Sequence, residues 1–323
     1  MKLNYSQVCS DFLRFLPEKQ RTIITRRYGL KGNRRETLES IGKDYKITRE
    51  RVRQIEKDGL SRLKPRTQEY QEVFNQLKRY LEKAGGLKKE DILLEEVGGK
   101  KEKNQIYFLL NLGQDFNRYG ETESLYPLWA VNQNALIKAK KVINFVFNKL
   151  QKAGKPLLLK DLEHSSLNEK TLSSYLEISK NIQKNQEKFF GLKDWPEINP
   201  KGIKDKAYLV FKKEKKPLHF TNIAKLLNSA SIQTVHNELI KDPRFTLVGR
   251  GVYALAEWGY ESGYVRDIIA KILKESKKPL PKEKILGRVL EQRLVKENTI
   301  LLNLSNKKYF LKDPRGNYTI RET

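Results

Sequence analysis

The chemistry of this sequence is concentrated on one helical face. Arg49, Glu50, Arg51, Arg53 and Gln54 crowd into the first two turns of a helix that Thr48 can cap and that extends to Leu63. Val52, Ile55, Leu60 and Leu63 form its apolar stripe at helical spacing. The polar side chains fit base edges in a duplex: Arg pairs two donors with guanine, Gln pairs with adenine, and Glu accepts from the cytosine amine. Charge runs are also what solvated helix faces carry, but here Arg outnumbers Glu and a Thr cap precedes the run. Just upstream, Thr37 to Tyr45 reads as a shorter helix, followed by the turn Lys46-Ile47. Helix, tight turn, then a helix with outward-facing N-terminal residues is a DNA-reading helix-turn-helix.

Leu16-Pro17-Glu18-Lys19-Gln20-Arg21 through Arg27-Tyr28-Gly29-Leu30, then Thr37-Leu38-Glu39-Ser40-Ile41-Gly42, then Thr48 to Glu56, together resemble region 4 of the sigma-70 family over about residues 12–64. That region reads the promoter −35 element in bacterial sigma factors. The resemblance implies base contacts from Arg49, Glu50 and Gln54, and phosphate or groove-edge contacts from Arg27, Thr37, Thr48, Arg51 and Arg53. It also implies an apolar face toward the polymerase flap around Phe12, Phe15, Ile23 and Ile24, which read more simply as core. The chain departs from the family after Glu56, where Lys57-Asp58-Gly59 stands in place of Ala and a basic residue. Gly59 costs the helix about 1 kcal/mol relative to Ala, and Asp58 would repel a phosphate.

The elements around this motif must hold a strongly basic protein together. The 323 residues carry 65 Lys and Arg against 39 Asp and Glu, a net charge of +26. Hydrophobic content is 38% with a mean hydropathy of −0.68, so several small cores under a charged surface are expected. The balance implies a polyanionic partner, double-stranded DNA first. No lipid-anchor motif, signal-peptide h-region or long apolar run argues for a membrane, and the chain reads as cytoplasmic and nucleoid-associated. The single cysteine, Cys9, allows no internal disulfide, and His164, His219 and His236 have no metal-ligand spacing.

A repeat lies downstream of the helix-turn-helix. Lys155-Pro156-Leu157, Lys216-Pro217-Leu218 and Lys278-Pro279-Leu280 recur at intervals near sixty residues, and Trp129, Trp195 and Trp258 mark the other end of each unit. Each unit begins with a helix (Lys140–Lys152, Lys204–Lys213, Val265–Glu275) that stops at the proline. Two shorter helices and a hairpin come next, with Thr221–Leu227, Ile232–Ile240 and Phe245–Leu255 the plainest case. Three helices plus a hairpin is a winged helix. Residues 70–131 fit less well as a first copy, with a helix at Tyr70–Lys83 and a wing at Phe116–Trp129. Segments 131–136 and 196–203 read as linkers, and Pro65-Arg66-Thr67 as the end of the reading helix. The expected fold is mainly α: a helix-turn-helix at 1–67, then winged-helix-like domains at 68–133, 134–198, 199–261 and 262–323. Residues 204–260 also resemble the HARE-type winged helix, through Pro217-Leu218-His219-Phe220, Thr234 to Leu239, Asp242-Pro243-Arg244-Phe245 and Gly249 to Leu255. That family occurs in the delta subunit of bacterial RNA polymerase, in restriction enzymes and in eukaryotic chromatin proteins.

Arg118, Arg250 and Arg315 sit in the wings, where they could reach phosphate or a minor groove. The reading helix of the third winged unit offers Gln233, Thr234, His236 and Asn237 but no cation before Lys241, which suits protein better than phosphate. No Gly-rich phosphate loop, nucleophile elbow or zinc-protease motif occurs, so neither an enzyme, a cofactor nor a small-molecule substrate is expected. Glu90-Asp91 and Glu95-Glu96 read as solvated acidic pairs. The leading expectation is a sigma-like transcription protein that works with core RNA polymerase. No stretch resembles the promoter-melting region 2, so it is expected not to open promoters alone. A polymerase accessory subunit acting through protein contacts, and a stand-alone DNA-binding regulator or packaging protein, remain open.

Overall fold

The computed structural model describes residues 4–321 apart from 33, 164–166, 229, 262 and 277. The chain forms two compact units, Met1–Ile198 and Asn199–Thr323. It is mainly α-helical, with small antiparallel hairpins downstream of residue 87.

The first unit opens with α1 (Tyr5–Arg14), α2 (Glu18–Tyr28), α3 (Leu38–Tyr45) and α4 (Arg49–Leu63). The reading helix stops at Leu63, just before Pro65, as the sequence suggests, but the chain does not leave the helical path there. A 3-10 segment, Lys64–Tyr70, leads directly into α5 (Gln71–Lys83), with the proline in its first turn, where a missing N–H costs no hydrogen bond. Next are β1 (Leu87–Lys89), α6 (Glu90–Gly98), α7 (Lys103–Leu112), β2 (Asn117–Tyr119) and β3 (Leu128–Ala130), the strands ordered β1-β3-β2. One core crosses residue 67. Val8, Phe12, Leu16 and Tyr28 share one buried cluster with Phe74, Leu77, Phe108, Leu109 and Trp129. Asn104 and Gln105 of α7 also donate to the carbonyls of Gly29 and Leu30, at 3.0 and 3.2 Å.

The chain continues into α8 (Gln133–Ala153), which starts well before Lys140. Residues 131–136 are therefore not a linker: the Asn132 side chain accepts from the amide of Ala135, and Leu136 and Ala139 are buried against the core. After Lys155-Pro156-Leu157 the expected helix is only one 3-10 turn, Leu159–Leu162. The unit closes with α9 (Glu169–Glu177) and the hairpin β4 (Ile182–Lys184) and β5 (Phe190–Leu192). Its core takes Leu87, Leu128 and Ala130 from the preceding sheet, so successive modules interlock.

The second unit contains two similar assemblies. The first is α10 (Ile203–Glu214), β6 (Leu218–His219), α11 (Phe220–Leu227), α12 (Ile232–Lys241), β7 (Phe245–Gly249) and β8 (Val252–Leu255), with strand order β6-β8-β7. Pro217 ends the helical run and Leu218 begins the strand, opposite Tyr253. The second is α13 (Val265–Ser276), β9 (Leu280–Pro281), α14 (Lys282–Gln292), α15 (Glu297–Leu304), β10 (Phe310–Lys312) and β11 (Asn317–Ile320), with order β10-β11-β9. Three helices and a three-stranded sheet in each are consistent with small winged-helix-like modules.

Candidate nucleic-acid interface

The geometry of the helix-turn-helix arises from local backbone chemistry. Thr37 caps α3 by accepting from the Ser40 amide, and Thr48 caps α4 by accepting from the Arg51 amide, each at 3.1 Å. Between the helices Lys46 adopts φ 53°, and the Ile47 amide donates back to the Gly42 carbonyl at 2.9 Å. A Cβ on residue 42 would lie 2.7 Å from the Ile47 carbonyl oxygen, so this turn closes only over glycine. Ile23, Ile41, Val52 and Ile55 form the small core that sets the helices at their crossing. Gly59 has the same kind of reason. A Cβ there would meet Ile24 Cδ1 at 2.6 Å, so the glycine lets α2 approach α4 at a cost of about 1 kcal/mol in helix propensity. Asp58 is held by intramolecular partners: it accepts from Gln20 Nε2 of α2 at 2.6 Å and pairs with Arg62 at 3.3 Å.

Arg49, Glu50, Arg51, Arg53 and Gln54 are all exposed on the first two turns of α4. Arg53 donates two hydrogen bonds to Glu50, at 2.8 and 2.6 Å, and its guanidinium holds that carboxyl below the usual carboxylate range. Arg51 donates to Gln54 Oε1 at 3.2 Å. The Arg49 side chain makes no hydrogen bond among the described residues. The face thus carries three guanidiniums, one carboxylate and one amide, with donors and acceptors of the kinds that read base edges.

Arg27 sits elsewhere in the motif. It is half-buried, donates to the Glu36 carbonyl at 2.9 Å and lies 3.4 Å from Glu56, so its guanidinium ties α2 to the α3 approach and to α4. Its neighbour Arg26, which the sequence did not single out, donates to both Glu36 oxygens, at 2.9 and 2.6 Å, and to Asp44. No local motif announces this clamp, because its members lie ten and eighteen positions from Arg26. Phe12, Ile23 and Ile24 are fully buried core residues. Phe15 is exposed, with the Arg66 guanidinium 4.4 Å above its ring.

The wing residues fall into two groups. Arg118 is engaged within the molecule: it pairs with Glu90 at 2.5 and 3.0 Å, and Glu90 also accepts from Trp129 Nε1 at 3.0 Å. Glu90 is thus a structural acid rather than a solvated one. Arg250 and Arg315 are exposed, in the β7–β8 and β10–β11 turns. The histidines take part in packing. His236 stacks on Phe220 with ring centroids 4.3 Å apart, and His219 Nδ1 is 2.7 Å from Thr221 Oγ1. His164 lies outside the described residues. Among those described, no group of three or more His, Cys, Asp or Glu could hold a metal ion, and no helix is long and apolar enough to cross a membrane.

Residues 12–65 match the family model described as "Sigma-70, region 4". The N-terminal module is a sigma-70-like helix-turn-helix. Proteins named RNA polymerase principal sigma factor HrdD from Streptomyces griseus, Streptomyces viridifaciens and Streptomyces coelicolor are each 42% identical to the chain over 59 residues. The matched stretch is 18% of this chain and 18% of each relative. The matches are thus to a sigma-70-like DNA-binding helix-turn-helix module.

Proposed function

We propose that this protein is a sigma-factor-like transcription protein. It reads a promoter −35-type duplex through α4 and works with core RNA polymerase, while DNA melting falls to other chains or segments. The observation that carries this reading is the exposed N-terminal face of α4, set by the Gly42 turn in a sigma-70-like module. On this reading Arg49, Glu50 and Gln54 contact bases, and Thr37, Thr48, Arg51 and Arg53 contact phosphate or the groove edge. Arg27 contributes there at the cost of its Glu36 and Glu56 partners, and Arg118 would first have to leave Glu90. Arg250 and Arg315 are the freer wing contacts. The later modules are tandem winged helices, with residues 199–261 of HARE type.

One observation favours a protein partner for that HARE-like module. Ile232 and Ile240 of α12 are 49% and 62% exposed, and no cation precedes Lys241 on that helix. An accessory role through protein contacts there would complement DNA reading by α4.

The test has two parts. Duplexes selected from a random pool by the full chain should share a motif, and Arg49→Ala or Glu50→Ala should relax it at single positions by about 1–3 kcal/mol. Core RNA polymerase should remain bound through nuclease treatment when the chain is purified from its host. Uniform weakening across all sequences would reduce α4 to a phosphate holder. Loss of polymerase after DNA digestion would leave a stand-alone DNA-binding protein.

A further inference from the structure

The charge of the first unit is unevenly placed beyond the helix-turn-helix. Between Glu123 and Asp161 the chain has seven lysines and no acidic residue. The rest of residues 68–198 carries 14 basic and 18 acidic side chains. The lysine-rich window is centred on α8, which buries Leu136, Ala139, Val142, Ile143, Val146 and Leu150. On a helix of ~3.6 residues per turn, Lys138, Lys141, Lys149 and Lys152 fall within roughly 80° of arc beside that apolar stripe, over about 21 Å of axis.

Stability gives no account of this face. None of the four lysines makes an ion pair among the described residues, and α8 has no acid to supply one at helical spacing. Lys152 in the last turn suits the helix dipole, but Lys138, Lys141 and Lys149 lie outside the terminal turns, where the dipole gives a cation no benefit. Lys138 and Lys141 are three apart and repel each other. Such a row is explained by an anionic partner that spans it. Duplex DNA presents one negative charge per about 1.7 Å, enough to meet every lysine along the face.

We propose that the lysine face of α8 is a second DNA-binding surface, one that holds the duplex backbone without reading sequence. The proposal rests on the DNA-binding reading of α4 and adds a separate source of affinity to it. Its signature is thermodynamic, since each neutralised phosphate contributes about −0.9 to the slope of log affinity against log salt.

The experiment compares the full chain with two variants, one with Lys138, Lys141, Lys149 and Lys152 all replaced by Gln, the other with all four replaced by Arg. Affinity for a mixed-sequence duplex is measured across salt concentrations, and circular dichroism checks the helix content of each. The Gln variant should flatten the slope by about 3–4 while the Arg variant keeps it, and the ranking of specific duplexes should stay that of the unaltered chain. A Gln variant with the original slope overturns the proposal, as does an Arg variant that loses it. Loss of binding to vesicles of equal parts phosphatidylcholine and phosphatidylserine, with DNA slopes unchanged, would assign the face to a lipid surface and overturn it as well. Arg49→Ala in the same assay separates the two readings: if it leaves sequence ranking intact, the α4 reading fails while the α8 result stands.

Discussion

The contact between α2 and α4 yields a prediction in which two destabilising changes repair each other. Replacing Gly59 with Ala adds a methyl 2.6 Å from Ile24 Cδ1, in a site where Ile24 is fully buried. Overpacking of this kind costs about 1–3 kcal/mol, against a gain of about 1 kcal/mol in helix propensity. The single variant should therefore lose about 0–2 kcal/mol. Ile24→Val alone removes Cδ1 and leaves a small void, at about 0.5–1.5 kcal/mol. Together they fit, because Ile24 Cγ1 and Leu16 Cδ1 then lie 3.7 and 3.9 Å from the new Cβ, which is ordinary van der Waals contact. The double variant should be within about 1 kcal/mol of the unaltered protein, with a coupling energy of about 1–3 kcal/mol. A chain of several modules need not unfold in one step, so native-state hydrogen exchange at α2 and α4 amides is the suitable measurement. Additivity within about 0.5 kcal/mol would mean that the helices do not meet at Gly59.

Two further perturbations separate turn geometry from ion pairing. Gly42→Ala places a methyl against a backbone oxygen that cannot turn aside, so the α3–α4 turn must open. We expect a loss of about 1–3 kcal/mol in exchange protection of α3 and weaker specific DNA binding, and an unchanged variant on both measures would sink the turn argument. In the second unit Asp242 and Asp205 both accept from Arg244, at 2.6 and 2.8 Å, and the guanidinium holds the Asp242 carboxyl below its usual range. A lowered folded-state pKa adds stability above the unfolded value near ~4 and loses it as pH falls through the folded value. Acid should accordingly loosen α10, α12 and β7 at pH below about 4, and Asp242→Asn should make their exchange less pH-dependent there. Identical acid profiles for the two proteins would exclude this ion pair as the cause.

The sequence made the reading helix legible because its signals are local. Thr48, the stripe of Val52, Ile55 and Leu63, and the polar run opposite them lie within sixteen consecutive positions. The hairpin of Phe245–Gly249 and Val252–Leu255 was legible for the same reason, since alternation and a Gly-Arg-Gly turn are adjacent in the chain. The features that stayed hidden depend on contacts between distant segments. Gly59 looked like a flaw in α4 until Ile24 of another helix was seen to need its space. Arg27 looked like a free cation, yet its hydrogen-bond acceptor, the Glu36 carbonyl, is backbone and carries no sequence signature. Arg118 looked like a wing contact because Glu90, its partner, is 28 positions away. Pro65 suggested a boundary, but a proline in the first turn of a helical segment is compatible with continuation, and the core shared by Phe12 and Phe74 then joins α5 to the helix-turn-helix.

The internal pairing of the α4 face bears on how it would discriminate between sequences. Glu50 with Arg53 and Arg51 with Gln54 are exposed pairs one helical turn apart. Exposed pairs of this kind hold side chains in a common orientation while contributing little to stability, so opening them on DNA costs little. A face of Arg alone would bind every sequence through phosphate. A carboxylate among the guanidiniums penalises any register that brings phosphate or a guanine carbonyl against it, and rewards one that brings a cytosine amine. That device reduces the net positive charge of the reading helix and with it the non-specific affinity. Cations elsewhere would offset that reduction, and the lysines of α8, which make no ion pair among the described residues, would be one such source on the proposal above.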